Sequence, residues 1–318
     1  MSKVSIKVGA IVLFMLLLVS CSGDKDQREV VVYTSVDQLF SSQILKEFEQ
    51  KSGIKVRALY DTEASKAVGL EKRLLQEKAH PKADIFWNSE NLRSARLEKA
   101  GLFKKQGEGT YVAMGLRCRV FVVNTKKMQK SEFPHALSDL LDPKYKGKVA
   151  ISNPLFGTAS AQFAALLAKW GEERFIEFLQ ALKKNDVAIL AGNANVKNRV
   201  GFGEFVFGLV DTDDALVGIS QGLPLSMVYY DQDKDGVYGV YGTLAILKNA
   251  PHPKEAQELF QYLYTAETEK KLIAMDAVQF GLLFDDENKK HIKMWIPPAD
   301  ETSNYLKRSA ELIREYLD

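Results

Sequence analysis

From Glu29 onward, short apolar runs alternate with segments of helical amphipathic period, and this alternation leaves few architectures open to the chain. "EVVVYTS" reads as a buried strand, "DQLFSSQILKEFEQKSG" as an amphipathic helix stopped at Gly53, and "IKVRALYD" as the next strand. "KAVGLEKRLLQEKAH" repeats the helix, "ADIFWNS" the strand and "ENLRSARLEKAG" the helix. Consecutive units of this kind require a parallel sheet with right-handed crossovers. Ligands of such sheets sit beyond the carboxyl ends of the strands, which directs attention to Asp37, residues 61–65, and Asn88 to Glu90.

A second block follows "LRCRVFVVNTKKM", a long predicted strand. It comprises the strand "VAISNP", the helices "GTASAQFAALLAKWG" and "EERFIEFLQALKKN", and the strand "DVAILAG", and so predicts a second α/β lobe. "VYGVYGTLAILKN" reads as a strand returning to the first lobe, followed by a helical stretch with Pro253 in its first turn. The expected division is residues 29–117 for lobe one, with a return segment at about 244–290, and 118–243 for lobe two, with a terminal helix at about 300–318.

The N-terminus predicts export. "MSKVSIK" is short and basic, and Val8 to Val19 form an apolar run of signal-peptide length that ends in "LVSC". This resembles the lipobox of bacterial lipoproteins, so residues 1–20 are expected to be cleaved and Cys21 lipidated, with 21–28 as a linker to the membrane. The net charge is +2, and Lys3 and Lys7 account for it. A mature chain with balanced charge lacks the basic footprint of a nucleic-acid binder. Only Cys118 then remains, in an apolar strand, where an inert buried thiol is expected.

Three constellations bear on chemistry. In "MVYYDQDKDG" the adjacent Tyr229 and Tyr230 face opposite ways if the strand is regular, one ring in a core and one at a surface. They converge on one ion only if the strand ends there, and two phenols as oxygen donors then suit a hard cation such as ferric iron. Asp231, Asp233, Asp235 and Gly236 match the opening of a calcium loop, but Gly242 stands where that loop needs a bidentate Glu, so a solvated turn is expected. In "SNPLFGTASAQFAALL" a strand runs into a helix start bearing Thr158 and Ser160. That is either an anion site or ordinary capping by Thr158. His80, His135, His252 and His291 show neither metal nor triad spacing, and no nucleophile stands with a base.

"VVVYTSVDQLFSSQILKEFEQKSGIKV", "ADIFWNSENLRSARLEKAGLF", "DPKYKGKVAISNPLFGT", "FGLVDTDDALVGISQG" and "VYYDQDKDG", in this order, resemble the substrate-binding proteins of bacterial ferric-iron ABC importers, the ferric-ion-binding protein family. The resemblance implies a type II periplasmic-binding-protein fold, with two α/β lobes closing over a ligand about hinge strands. It implies a non-enzymatic, monomeric binding protein of the cell envelope that serves an ABC permease and its ATPase. Tyr229 and Tyr230 fall on the family's iron-binding tyrosines, and Glu90 on its first-lobe acid, although a strict match lands on Ser89. Asp37 stands where many members carry His, either as an iron ligand or as a helix cap. Gly157, Thr158 and Ala159, with Asn193, would hold a synergistic carbonate or phosphate beside Fe3+. The stretch from Asp211 to Gln232 is similar to a branch in which the second tyrosine is often proline, and some relatives take up phosphorylated small molecules. For such a ligand the helix starts would be the main site, and Arg117 or Arg119 the counter-ion, whereas the retained Tyr230 favours ferric iron as the expected ligand.

Overall fold

The computed structural model of the chain describes residues 28–61 and 67–317. The expected signal segment, Cys21 and most of the linker lie outside the described residues, as do 62–66.

Strand β1 (Glu29–Thr34) pairs in parallel with β2 (Lys55–Tyr60) on one side and β3 (Ile85–Asn88) on the other. Its residues are apolar on both faces because both faces are covered. Val30 and Val32 pack with Phe40, Ile44 and Phe48 of α1 (Gln38–Ser52), while Tyr33 packs on the opposite face with Leu70 and Leu74 of α2 (Val68–Gln76). Helix α3 (Asn91–Lys99) follows β3 directly and adds Leu97 to the second face. The βαβ reading of the first lobe therefore matches the fold, and β1, β2 and β3 end toward the same edge.

Two long strands cross between the lobes. β4 (Val112–Asn124) pairs with β9 (Val237–Ile246) from Val112 to Cys118, then from Arg119 onward with β7 (Phe207–Asp211). β9 in turn reaches β3 in the first lobe. A register shift interrupts β4 between Met114 and Leu116, at Gly115, whose φ of 62° suits a residue without Cβ. The change of partner at Cys118 and Arg119 makes these strands the hinge. With β5 (Val149–Ser152) and β6 (Ala188–Leu190) the sheet is continuous across both lobes, in the order β2-β1-β3-β9-β4-β7-β5-β6, with β8 (Leu225–Val228) on β4.

In the second lobe β5 (Val149–Ser152) lies between β7 and β6 (Ala188–Leu190), all parallel. Helices α4 (Gly157–Trp170), α5 (Glu172–Lys184), α6 (Asn193–Gly201) and α7 (Thr212–Ser220) connect and cover them. The core here is aromatic, with Phe121 against Phe207 and Phe163 against Phe175. The helical stretch after Pro253 is two helices, α8 (Pro253–Leu263) and α9 (Ala266–Ala274), because Thr265 caps the second through its hydroxyl, 3.1 Å from the Thr268 amide. Strand β10 (Met294–Trp295) and helices α10 (Ala299–Thr302) and α11 (Leu306–Tyr316) close the chain. They pack where α3, α4 and β9 meet: Leu92, Ala95, Ala161, Ala165, Val240 and Leu306 form one cluster. Small residues on α3 and α4 let these two helices lie close to the hinge.

Candidate ligand cleft

The carboxyl ends of β3, β5, β6 and β7 converge on one pocket. Ser89 and Arg117 form its first-lobe and hinge side, and Ser152, Asn153 and Asp211 its floor. The starts of α4, at Phe156 to Ala159, and of α6, at Gly192 and Asn193, close the other side. Neither helix has a side-chain cap: Phe156 and Gly192 occupy the capping positions, and neither supplies an oxygen from its side chain. Gly157, at φ 53°, turns the backbone into α4. Two helices of 14 and 9 residues thus direct their amide ends and dipoles into one space. Gly157, Thr158, Ala159 and Asn193, picked out in the sequence as one anion-binding set, do line a single pocket.

Thr158 does not cap its helix. Its hydroxyl instead donates to Asp211 Oδ2 at 2.7 Å, tying α4 to the end of β7. Asp211 also accepts from Arg119 at 2.9 Å and lies 3.6 Å from Arg117. Burial pushes the Asp211 carboxyl up, but Arg119, Arg117 and the Thr158 hydroxyl outweigh it and hold the group below its ordinary value. Arg119 is fully buried and spans the lobe, donating to Asn193 Oδ1 at 2.8 Å, Gln162 Oε1 at 3.1 Å and Ser152 Oγ at 3.2 Å. Arg117 sits nearer the ligand space, donating to Asp213 at 2.8 Å and to the Ser89 carbonyl. Burial works against its charge, and Asp213 and Asp211 more than restore it. Of the two arginines singled out in the sequence, Arg117 lines the pocket and Arg119 braces it from behind.

A second cavity adjoins the first and shares Ser89 and Arg117 with it. Asp37 and Asp213 line it, with Phe40, Trp87 and Met114 as apolar walls. Asp37 occupies the capping position of α1, yet its carboxylate makes no capping hydrogen bond. The capping role open to Asp37 in the sequence is therefore not the one it takes.

The metal-ligand set is placed differently. Tyr229 and Tyr230 line neither cavity. The Tyr230 ring packs on Phe121 in the second-lobe core, and its hydroxyl accepts from Gln162 Nε2 at 2.9 Å and from the Tyr238 amide at 3.3 Å. Tyr229 is half-buried and accepts from Gln279 Nε2, and burial pushes its phenol up to about 12. β8 ends at Val228, one residue before the pair, and the two hydroxyls take different partners. Glu90 is fully buried and caps α3, accepting from the Leu92 amide at 2.6 Å and the Arg93 amide at 3.1 Å, with the Arg93 guanidinium 3.3 Å away. Its carboxylate is thus committed to the helix rather than to the cleft, whereas Ser89, the strict match, does face it. The Asp231–Gly236 run folds as a turn in which Asp231 accepts from the Leu137 amide and Asp235 pairs with Lys169. Among the described residues Asp211, Asp213 and Asp214 are the one trio of acids close enough to share an ion, and the first two already face the arginines. The sequence reading missed Asp211 and Asp213. Their signal was "DTDD" at the end of an apolar strand, the position where ligand residues of such sheets collect.

The profile of the bacterial extracellular solute-binding protein family matches residues 29–274. The chain belongs to that family. Among solute-binding proteins, the Fe(3+)-binding periplasmic protein of Serratia marcescens is 22% identical over 287 residues, covering 84% of this chain and 83% of that one. Iron-bound HitA from Pseudomonas aeruginosa superimposes with a TM-score of 0.78 at 22% identity, covering 91% of this chain and 99% of that one. The periplasmic binding protein AfuA from Actinobacillus pleuropneumoniae, with fructose-6-phosphate bound, gives 0.77 at 20% identity, covering 92% and 99%. These likenesses agree with the two-lobed α/β architecture of this solute-binding protein. They leave the ligand to be argued from the cleft.

Proposed function

We propose that the chain is the substrate-binding component of an ABC importer, lipid-anchored at the cell envelope through Cys21, and that it holds its ligand by an oxyanion seated at the starts of α4 and α6. The observation that carries this reading is the convergence of two helix starts, neither with a side-chain cap, on a pocket that Arg117 also enters. Free amides and two dipoles stabilise a phosphate or phosphonate there, and a guanidinium beside them adds charge. A ligand touching this seat and Ser89 contacts both lobes only when they are together, so binding favours the closed form that a permease would read.

Ferric iron is the second reading, favoured by the iron-binding relatives and by the iron-bound HitA structure. The same seat would then hold the synergistic carbonate or phosphate beside Fe3+. Asp37 lines the adjoining cavity, but Tyr229, Tyr230 and Glu90 would first have to leave the partners described above. That requirement ranks a phosphorylated small molecule above the metal.

Calorimetric titration of the purified chain with phosphate esters and, separately, with ferric nitrilotriacetate distinguishes the two. We expect saturable ester binding that Asn193→Asp abolishes, since a carboxylate at the start of α6 suits the helix but repels an oxyanion. Ferric binding with a tyrosinate charge-transfer band, and no ester binding, would reverse the ranking.

A further inference from the structure

We propose that Ser35 fixes Ser89 as a hydrogen-bond acceptor on the first-lobe side of the cleft, and that the preferred ligand therefore brings a hydroxyl hydrogen to Ser89 as well as an oxyanion to the helix starts. This rests on the oxyanion seat proposed above. Ser89 lines both adjoining cavities, whereas Ser35 lines neither and is buried beside it. Ser35 is thus a positioning residue, and Ser89 the residue it positions.

Each hydrogen-bond direction follows from the one before it. Asn88 stands 2.5 Å from the Glu90 carbonyl, which can only accept, so the amide nitrogen of Asn88 is the atom that faces it. The same nitrogen lies 3.1 Å from Ser94 Oγ. Asn88 Oδ1 is thereby turned to Ser35, whose hydroxyl donates to it at 2.6 Å. Ser35 Oγ then has only lone pairs left, and Ser89 takes both, donating its backbone amide at 2.9 Å and its hydroxyl at 3.0 Å. Ser35, Asn88 and Ser89 are all buried, so water does not compete for these bonds.

Every hydrogen that Ser89 could offer is spent on Ser35, and what it brings to the cleft is lone pairs. The second lobe is opposite in kind. The amides at the starts of α4 and α6 donate, and Asn193, whose Oδ1 accepts from Arg119 at 2.8 Å, has its amide nitrogen left as a further donor. An oxyanion with no hydrogen satisfies the helix starts but sets its own lone pairs against those of Ser89. One that carries a hydrogen, on its own oxygen or on a neighbouring alcohol, satisfies both lobes and leaves no buried acceptor unpaired.

The test compares anions matched in charge and shape, titrated calorimetrically into the full-length chain at mildly alkaline pH. Phosphate then keeps one hydrogen and carries the same double charge as sulfate, which has none. Glycerol phosphate against propyl phosphate compares an alcohol hydrogen with its absence. The expected result is a preference of about tenfold or more for the hydroxyl-bearing member of at least one pair. Phosphate over sulfate places the hydrogen on the oxyanion; glycerol phosphate over propyl phosphate places it on the attached chain. Ser35→Ala should free the Ser89 hydroxyl to donate and bring the two members of that pair to nearly equal affinity, whereas Ser35→Thr should keep the preference. Thermal melting checks that both variants fold, and a merely structural role would weaken both members alike. Should Ser35→Ala fail to fold, Ser89→Ala removes the lone pairs directly and should narrow the preference in the same way. Equal binding within both pairs would overturn the role of Ser89 and leave the oxyanion seat standing. A preference unchanged in folded Ser35→Ala, or in Ser89→Ala where it stands in, would overturn the assignment to these serines. Binding of no oxyanion, with ferric nitrilotriacetate bound instead, would remove the seat and this inference with it.

Discussion

At the residue scale the two adjacent tyrosines take separate places, Tyr230 in the core and Tyr229 half-buried on Gln279. β8 ends at Val228, just before the pair, so their partners rather than strand alternation set them apart. The family likeness carries the expectation of a shared ion. Tyr230→Phe should cost about 1–2 kcal/mol in denaturant unfolding, because Gln162 and the Tyr238 amide lose their acceptor, and ester affinity should change little. Asp211 is the more sensitive position. Its folded pKa is depressed, so its stabilisation is complete above the ordinary carboxylate range and is lost as pH falls through the lower folded value. The melting temperature should therefore be nearly flat above about pH 5 and fall below about pH 4. Asp211→Asn should make that acid-side loss shallower, and should cost about 3–5 kcal/mol at neutral pH by leaving buried Arg119 without its carboxylate.

At the scale of elements the sequence was legible wherever periodicity and capping agreed. The strands and helices from Glu29 to Lys99 follow from alternating runs and stop signals, and the second-lobe helices likewise. Thr265 was passed over inside a continuous helical pattern, although a Thr that accepts from an amide three residues on is a start signal. The pairing of α4 and α6 at one pocket was harder to see. It depends on α6 lying against β7, which no local pattern encodes. Gly208 permits that approach: a Cβ there would stand 2.4 Å from Val196 Cγ1 and 2.8 Å from the Ala150 carbonyl oxygen. The carbonyl belongs to the sheet and cannot yield, so Gly208→Ala should destabilise by about 1–3 kcal/mol in chemical unfolding and weaken ester binding by displacing the start of α6.

At the scale of the molecule, β4 and β9 join the lobes, and α3 meets α4 across the cleft. Arg93 on α3 donates to Ser160 Oγ on α4 at 2.9 Å, a bond that joins the two lobes. Ser160→Ala should leave each lobe intact and lower ligand affinity by about three- to tenfold, the worth of one such bond, with the mean lobe separation in solution scattering increased. The sequence could not disclose this contact, because it joins residues distant in the chain through a geometry fixed by the hinge. The most direct test of the whole account is the response of individual backbone amides to a phosphate ester, followed by nuclear magnetic resonance. Large shifts at Gly157 to Ala159 and at Asn193, with the Tyr229 and Tyr230 rings unmoved, are predicted. Unmoved helix-start amides, with the tyrosine signals shifted or broadened by ferric iron, would contradict it.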